Sequence, residues 1–243
     1  MAQPFLSIII PAYNEENRLP GTLEQVLEFT QGQAYASEIL VVENGSCDGT
    51  LEVARCYAQD HPTLRVFQET QRGKGLAVRK GVLAARGTYR FMCDADLSMP
   101  ISEVNRFLPP ALTAFDIAIA SREAPGAVRY NEPGYRHWGG RGVNLLIRLF
   151  ALPGLHDTQC GFKMFHAPAA EVLFRYQTFI NWSFDIELLF IARRHGYRII
   201  ELPIPWHFNP ETKLSPFKDA VQMALDIFTI HRNAWRGRYD PQV

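Results

Sequence analysis

The chain has 243 residues, of which 47% are hydrophobic and 12% aromatic, so it can bury a sizeable core and is not a disordered or low-complexity chain. Its 25 basic and 25 acidic side chains cancel, which removes the uniformly basic field of a nucleic-acid binder. The cancellation is uneven: residues 1–120 hold 10 basic and 14 acidic side chains, a net of −4, while residues 121–243 hold 15 and 11, a net of +4.

In chain order, short β-rich runs alternate with helical patterns. The predicted pairs are Leu6–Ile10 with Leu19–Thr30, Glu38–Val42 with Leu51–Gln59, Leu64–Phe67 with Leu76–Ala85, and Tyr89–Cys93 with Ile101–Leu112, followed by a strand at Asp116–Ala120. This rhythm predicts an α/β, Rossmann-like, mostly parallel sheet with helices on both faces. The runs Ile8-Ile9-Ile10 and Ile39-Leu40-Val41-Val42 are continuous rather than alternating, as strands buried on both sides require. Residues 121–142, rich in Arg, Gly, Pro and Tyr, read as a long irregular segment. Helices are then expected at Val143–Phe150, Ala169–Tyr176, Phe184–His195 and Pro216–Trp235, with a strand at Tyr197–Leu202. The expectation is one domain with an elaborated C-terminal half, its two halves being 1–120 and 121–243.

Ligands of open α/β sheets bind beyond the carboxyl ends of the strands. The expected strand tops are Pro11-Ala12-Tyr13-Asn14-Glu15-Glu16, Glu43-Asn44-Gly45-Ser46-Cys47-Asp48-Gly49-Thr50, Gln71-Arg72-Gly73-Lys74-Gly75 and Asp94-Ala95-Asp96. Any one of these is an ordinary turn or helix cap; four polar tops together point to a ligand crevice. Asp94 and Asp96, two residues apart on extended backbone, can point to one side. Hard oxygen ligands at that spacing suit Mg²⁺ or Mn²⁺ bridging to phosphate oxygens, and the Gly-Lys-Gly loop is expected to approach a phosphate.

These motifs, together with RGKGLAVRKG, DTQCGFKMF, WSFDIELLFIARR and KLSPFKD, resemble the inverting family 2 glycosyltransferases of the GT-A fold. The resemblance is strongest to the branch that moves a sugar from a nucleotide-sugar onto a polyprenyl phosphate, dolichyl-phosphate glucosyltransferases among them. It implies metal-dependent inverting transfer of a hexose, from UDP-glucose or GDP-mannose, to a polyprenyl or dolichyl phosphate. By position it assigns Pro11, Tyr13, Glu15, Glu43, Asn44, Gly73, Lys74, Asp94, Ala95 and Asp96 to the nucleotide-sugar, with Asp96 as the direct metal ligand and Asp94 the closer to the sugar nucleotide. Glu43-Asn44 stands where the family more commonly has two aspartates, and Arg79 matches the basic segment after the third strand. Asp185 falls where many members keep a general base; a helix-dipole role is its structural alternative, and Glu187, two residues on, cannot share its face. A phosphate acceptor is already ionised near neutral pH, which lowers the need for a base.

The basic half supplies the expected acceptor clamp: Arg122, Arg136, Lys163 and Lys213, with Arg129 and Arg141 nearby. Residues 143–150 and 221–230 are the candidates for peripheral contact with a membrane surface, ordinary core helices being the alternative. His137, His156, His166 and His207 are not spaced as a metal cluster and are read as structural. The four cysteines show no CxxC spacing and no basic leader precedes Phe5, so the expected setting is cytoplasmic, peripheral on the membrane's cytoplasmic face. Two rivals remain: a glycosyltransferase with a soluble acceptor, and a non-catalytic nucleotide-binding module on the same fold. Nucleotidyl transfer would want a basic glycine-rich loop after the first strand, where the acidic PAYNEE stands.

Overall fold

A computed structural model of the chain describes residues 3–131, 133, 144, 146–208 and 216–240. Its elements run β1 (Leu6–Ala12), α1 (Leu19–Gln31), β2 (Ser37–Glu43), α2 (Thr50–Asp60), β3 (Leu64–Gln68), α3 (Lys74–Ala84) and β4 (Tyr89–Met92). A 3₁₀ segment (Ile101–Phe107), β5 (Ile117–Ser121), β6 (Val128–Tyr130), β7 (Lys163–His166) and α4 (Ala167–Tyr176) follow, then α5 (Phe184–Arg194), β8 (Ile199–Pro203), β9 (Pro205–His207) and α6 (Pro216–Trp235).

Seven strands form one sheet in the order β3-β2-β1-β4-β7-β5-β8, parallel except for β7, which runs antiparallel to both neighbours. The continuous apolar strands divide their side chains between two cores. Ile9, Leu40, Val42, Met92, Ile117, Ile119 and Phe165 face α3, α4, α5 and α6. Ile8, Ile10, Ile39, Val41, Phe91, Ala118 and Met164 face α1, α2 and the 3₁₀ segment. The period-two alternation of a strand, buried on both sides, therefore reads as an unbroken hydrophobic run.

The structure departs from the sequence expectation in three places. The helix expected over Ile101–Leu112 is a 3₁₀ segment ending at Phe107, since Pro109 and Pro110 cannot continue a helical ladder. Within 121–142, Val128–Tyr130 pairs in parallel with Pro205–His207, so part of that stretch is ordered as a second, two-stranded sheet. The strand β7 has no counterpart among the expected elements: four residues opening on a lysine carry too little periodicity to announce themselves.

β7 matters for position. Because it is antiparallel, its first residue lies at the edge where the parallel strands end, and Lys163 sits opposite Met92 of β4. The sheet order reverses between β1 and β4, and at such a reversal the loops leaving two strands diverge and open a crevice.

Candidate active site

The tops of β1 and β2 are stitched together by their own polar residues. The Asn14 amide donates to Ser46 Oγ (3.0 Å), Cys47 N to Asn14 Oδ1 (2.9 Å), Glu15 N to Thr50 Oγ1 (2.8 Å) and Gly49 N to Glu16 Oε2 (2.8 Å). Asn14 adopts a φ of 52°, which asparagine tolerates better than most residues. Pro11 is half-buried in β1, the Tyr13 ring carries the Arg72 guanidinium 4.4 Å from its centroid, and Glu15 Oε2 lies 3.5 Å from Arg18 Nε.

Glu43 and Asn44, the departure from the usual acidic pair, do different things. Glu43 is buried; its Oε1 accepts from the Ser46 amide, while its Oε2 is buried without a hydrogen-bond partner. A buried acceptor left without a donor is costly and is found where a ligand or water completes it. Asn44 spends its side chain on the chain itself, donating from Nδ2 to Gln71 O (2.8 Å) and accepting at Oδ1 from Gly73 N (2.8 Å). It fixes the loop before α3.

That loop shows a packing reason for Gly-Lys-Gly. A Cβ on Gly73 would lie 2.6 Å from Ile180 O, and one on Gly75 2.7 Å from Phe179 O. The glycines thus permit close packing against residues 177–183, and Gly75 N donates to Ile180 O at 2.9 Å. Between them, Lys74 projects to Asp94 (Nζ to Oδ1 2.5 Å), with its ammonium 4.5 Å from the Trp182 ring centroid. Burial opposes the charge of Lys74, but Asp94 and then Asp185 hold its pKa above the usual lysine value. Arg79 lies further along α3.

The extended run after β4 is pinned at its middle: Thr22 Oγ1 donates to the carbonyl of buried Ala95 at 2.5 Å. Asp94 is more than a third exposed, and Asp96 Oδ1 accepts from Ser98 N at 3.0 Å. From the other side the Asp157–Gly161 turn closes on Asp94, so tightly that a Cβ on Gly161 would come within 1.9 Å of Asp94 Oδ2. Among the described residues no three His, Cys, Asp or Glu side chains cluster around one metal position. Two carboxylates on one short run fit an ion that takes its remaining ligands from phosphate oxygens and water, as Mg²⁺ and Mn²⁺ do.

Asp185 and Glu187, both on the first turn of α5, are buried and part company as their spacing requires. Asp185 faces the crevice and pairs with Lys163 (2.9 Å). Burial raises its pKa, against the pull of Lys163 and Lys74. Glu187 points away, accepting from Thr178 N, Phe179 N and Tyr239 OH at 2.9, 2.9 and 2.7 Å, and so shapes the loop that covers Gly73 and Gly75.

The expected acceptor clamp meets a different arrangement. Lys163 is 1% exposed, bonded to Cys160 O (2.5 Å) and paired with Asp185, so its ammonium is already engaged by the chain's own acceptors. Arg122 grips the buried Asp157 with Nε and Nη2 (2.6 and 3.0 Å) and lies 5.5 Å from the Trp206 ring. Burial opposes ionisation of Asp157, yet the Arg122 guanidinium holds its pKa to about 2. Arg129 pairs with Glu123 and donates to Arg122 O at 3.0 Å. His156 is engaged by Glu201 at 2.7 Å. Arg136, His137, Arg141 and Lys213 lie outside the described residues. The Lys163–Asp185 pair, Gly161 and Trp182 went unread in the sequence; a glycine next to a motif and a lysine opening an antiparallel strand gain meaning only from the fold.

The fold is that of the GT-A glycosyltransferases. A mycobacterial glucosyl-3-phosphoglycerate synthase (Mycobacterium tuberculosis), solved in complex with Mn²⁺ and UDP-glucose, superimposes with a TM-score of 0.64 at 17% identity, covering 94% of this chain and 78% of that one. A mannosyltransferase of Pyrobaculum calidifontis in complex with GDP-Man and Mn²⁺ gives 0.53 at 18%, covering 100% and 77%. The family model for glycosyl transferase family 2 matches residues 7–174. Dolichyl-phosphate beta-glucosyltransferase of Drosophila melanogaster is 35% identical over 240 residues, 93% of this chain and 74% of that protein. The human enzyme of the same name is 33% identical over 250 residues, covering 95% and 77%. The chain belongs to glycosyltransferase family 2 and is a glycosyltransferase.

Proposed function

We propose that this chain transfers a hexose, with inversion, from a nucleotide-sugar to dolichyl or a related polyprenyl phosphate. The observation that carries the donor half is the buried, unpartnered Oε2 of Glu43, at a strand top separated by β1 alone from the strand that leads to Asp94 and Asp96. A ribose hydroxyl or a base N–H is the donor that would complete it. The nucleotide would lie across the tops of β1 and β2, between Tyr13 and the loop fixed by Asn44, with its diphosphate toward Asp94, Asp96 and Lys74. Asp96 and Asp94 would hold Mg²⁺ or Mn²⁺, which when bound neutralises the diphosphate and favours its departure. The names of the relatives support glucose and dolichyl phosphate as the transferred sugar and the acceptor.

In this reaction a phosphate oxygen of the acceptor forms a bond to the anomeric carbon as the bond from that carbon to the diphosphate breaks, and the nucleoside diphosphate leaves. A phosphomonoester with a second pKa near ~6 arrives with its nucleophile ionised. The chain's residues then have to position and to stabilise charge. Lys74 is placed to shift from Asp94 toward the departing diphosphate, and Asp185, held by Lys163, orders the floor of the crevice. Arg122, Arg136 and Lys213 remain the candidates for the acceptor phosphate, while Lys163 acts through Asp185.

A thermal-shift screen of UDP, GDP, UDP-glucose and GDP-mannose, each with and without Mn²⁺, tests the donor reading. Stabilisation by a UDP species that requires the ion supports it; no nucleotide stabilising the chain in any condition overturns it.

A further inference from the structure

Tyr239, just beyond α6, is fully buried, its ring edge-on to Phe190 of α5 with 6.4 Å between centroids. The chain reaches that position by a sharp reversal. Gly237, at a φ of 71°, donates to Ala234 O (3.1 Å), and Arg238 N donates to Asn233 O (3.0 Å), the paired bonds of a left-handed helix stop that turns the chain back on α6. The returning segment is then bolted to the neighbouring helices. Asp240 Oδ1 accepts from Arg194 Nε and Nη2 (2.8 and 2.6 Å), Tyr176 OH donates to Asp240 O (3.0 Å), and His195 Nε2 lies 2.6 Å from Tyr239 O.

All of this anchoring serves to place one hydroxyl. Tyr239 OH donates to Glu187 Oε1 (2.7 Å) and accepts from Asn233 Nδ2 (3.2 Å). Burial, and then Glu187, push the phenol above its ordinary pKa, so it keeps the proton it donates. Glu187 is itself buried, and its two oxygens are met by that hydroxyl, by the amide and hydroxyl of Thr178 and by the Phe179 amide. A buried carboxyl short of donors is costly, so the phenol and the two amides hold one another in place. Those amides open the 177–183 loop, which is the seat of Lys74. Gln177 Nε2 donates to Gly75 O (2.9 Å), Gly75 N donates to Ile180 O (2.9 Å), and Trp182 lies against the Lys74 ammonium. The far end of the loop is held separately, by Asp226 of α6, which accepts from Ser183 Oγ (2.6 Å) and Asn181 Nδ2 (2.9 Å).

We infer that Tyr239 is a positioning residue for the transfer reaction: through Glu187 it sets the near end of the 177–183 loop, and through that loop the reach of Lys74 toward the donor diphosphate. This rests on the reading above in which Lys74 serves the diphosphate. Residues far apart in sequence, at 74, 187 and 239, thus act as one unit.

Tyr239→Phe removes the hydroxyl and keeps the ring that fills the core. Its melting temperature should fall by roughly 3–12 °C, leaving the chain folded at 25 °C. Hydrogen exchange followed by mass spectrometry should quicken by about tenfold or more in residues 73–79 and 177–183 and stay at the parent's rate in α1 and α2. The kcat/KM for the nucleotide-sugar should fall by about tenfold, with the acceptor KM within about twofold of the parent. On the residual transfer of Lys74→Met the same substitution should cost less than about twofold, because the group it positions is gone. Gly237→Ala strains the turn and leaves the hydroxyl in place, and it should show the same pattern in smaller measure; it carries the test if Tyr239→Phe does not fold. An equal loss with and without Lys74, or an unchanged donor kcat/KM in the folded variants, overturns the inference. Quickened exchange in the variant beside a parent that transfers sugar from no nucleotide-sugar upholds the grip of Tyr239 on the loop and refutes the donor reading instead.

Discussion

Replacing Lys163 by methionine removes the ammonium that faces Asp185 at 2.9 Å in a pocket where the two residues are 1% and 3% exposed. Breaking a buried pair by deleting one partner typically costs about 3–5 kcal/mol, because the other charge stays buried. For a chain of this size that corresponds to a fall in Tm of roughly 6–20 °C. The loss should depend on pH. Burial already raises the pKa of Asp185, with Lys163 the largest influence holding it down. A carboxyl whose folded pKa is raised favours the fold below its unfolded pKa and disfavours it as pH climbs through the folded value. Lys163→Met raises that value further, so the deficit should be greatest at neutral and higher pH and shrink on acidification as Asp185 takes up a proton. Adding Asp185→Asn to Lys163→Met removes the stranded charge and should recover at least about half of the loss. Urea melts of the parent, both single variants and the double variant, across pH, read all of this. A Lys163→Met deficit that is independent of pH and undiminished in the double variant would refute the ion pair as the organiser of this pocket.

Three further substitutions probe other parts of the site. Asp96→Asn keeps an oxygen to accept from Ser98 N but loses a metal-binding charge, so transfer should fall by about 10²–10³ or more with the melting curve unchanged; near-normal turnover in saturating Mn²⁺ would remove Asp96 from the metal. Glu43→Gln retains an acceptor for Ser46 N while turning the unpartnered Oε2 into a donor. Nucleotide affinity, measured by calorimetry, should drop by about tenfold or more, the scale of one charge-assisted hydrogen bond at roughly 1.5–3 kcal/mol. Arg122→Ala frees Asp157, whose pKa of about 2 lies below its ordinary 3.8. The parent should lose about 2 kcal/mol as pH falls from 4 toward 2, and the gap between parent and variant, wide at pH 7, should narrow over that same interval.

The sheet was legible because its central strands are buried on both faces, and Ile8-Ile9-Ile10 has to be continuous for that to hold. The strand-top residues were legible because a parallel sheet gathers them at one edge whatever the loops do. Less visible were contacts that only a fold brings together. Nothing near Gly161 in sequence indicates that Asp94 will occupy the space of its Cβ. Lys163 was expected in the clamp for the acceptor phosphate, and its burial beside Asp185 comes from β7, a strand the sequence pattern did not announce. Asn44 stood among the expected nucleotide-sugar contacts by position, and only the fold shows its amide committed to Gln71 and Gly73. The two candidate membrane stretches were each amphipathic enough to be core or surface, and the last helix has one side in the core and the other exposed.

The most direct measurement is transfer of radiolabelled glucose from UDP-glucose to dolichyl phosphate by the whole chain, in Mn²⁺ or Mg²⁺ and again after chelation, with the label followed into the organic phase. The account predicts metal-dependent formation of a labelled lipid of inverted, β anomeric configuration, abolished by Asp96→Asn. Label that stays in the aqueous phase with every metal, or a labelled lipid formed equally well after chelation, would contradict it.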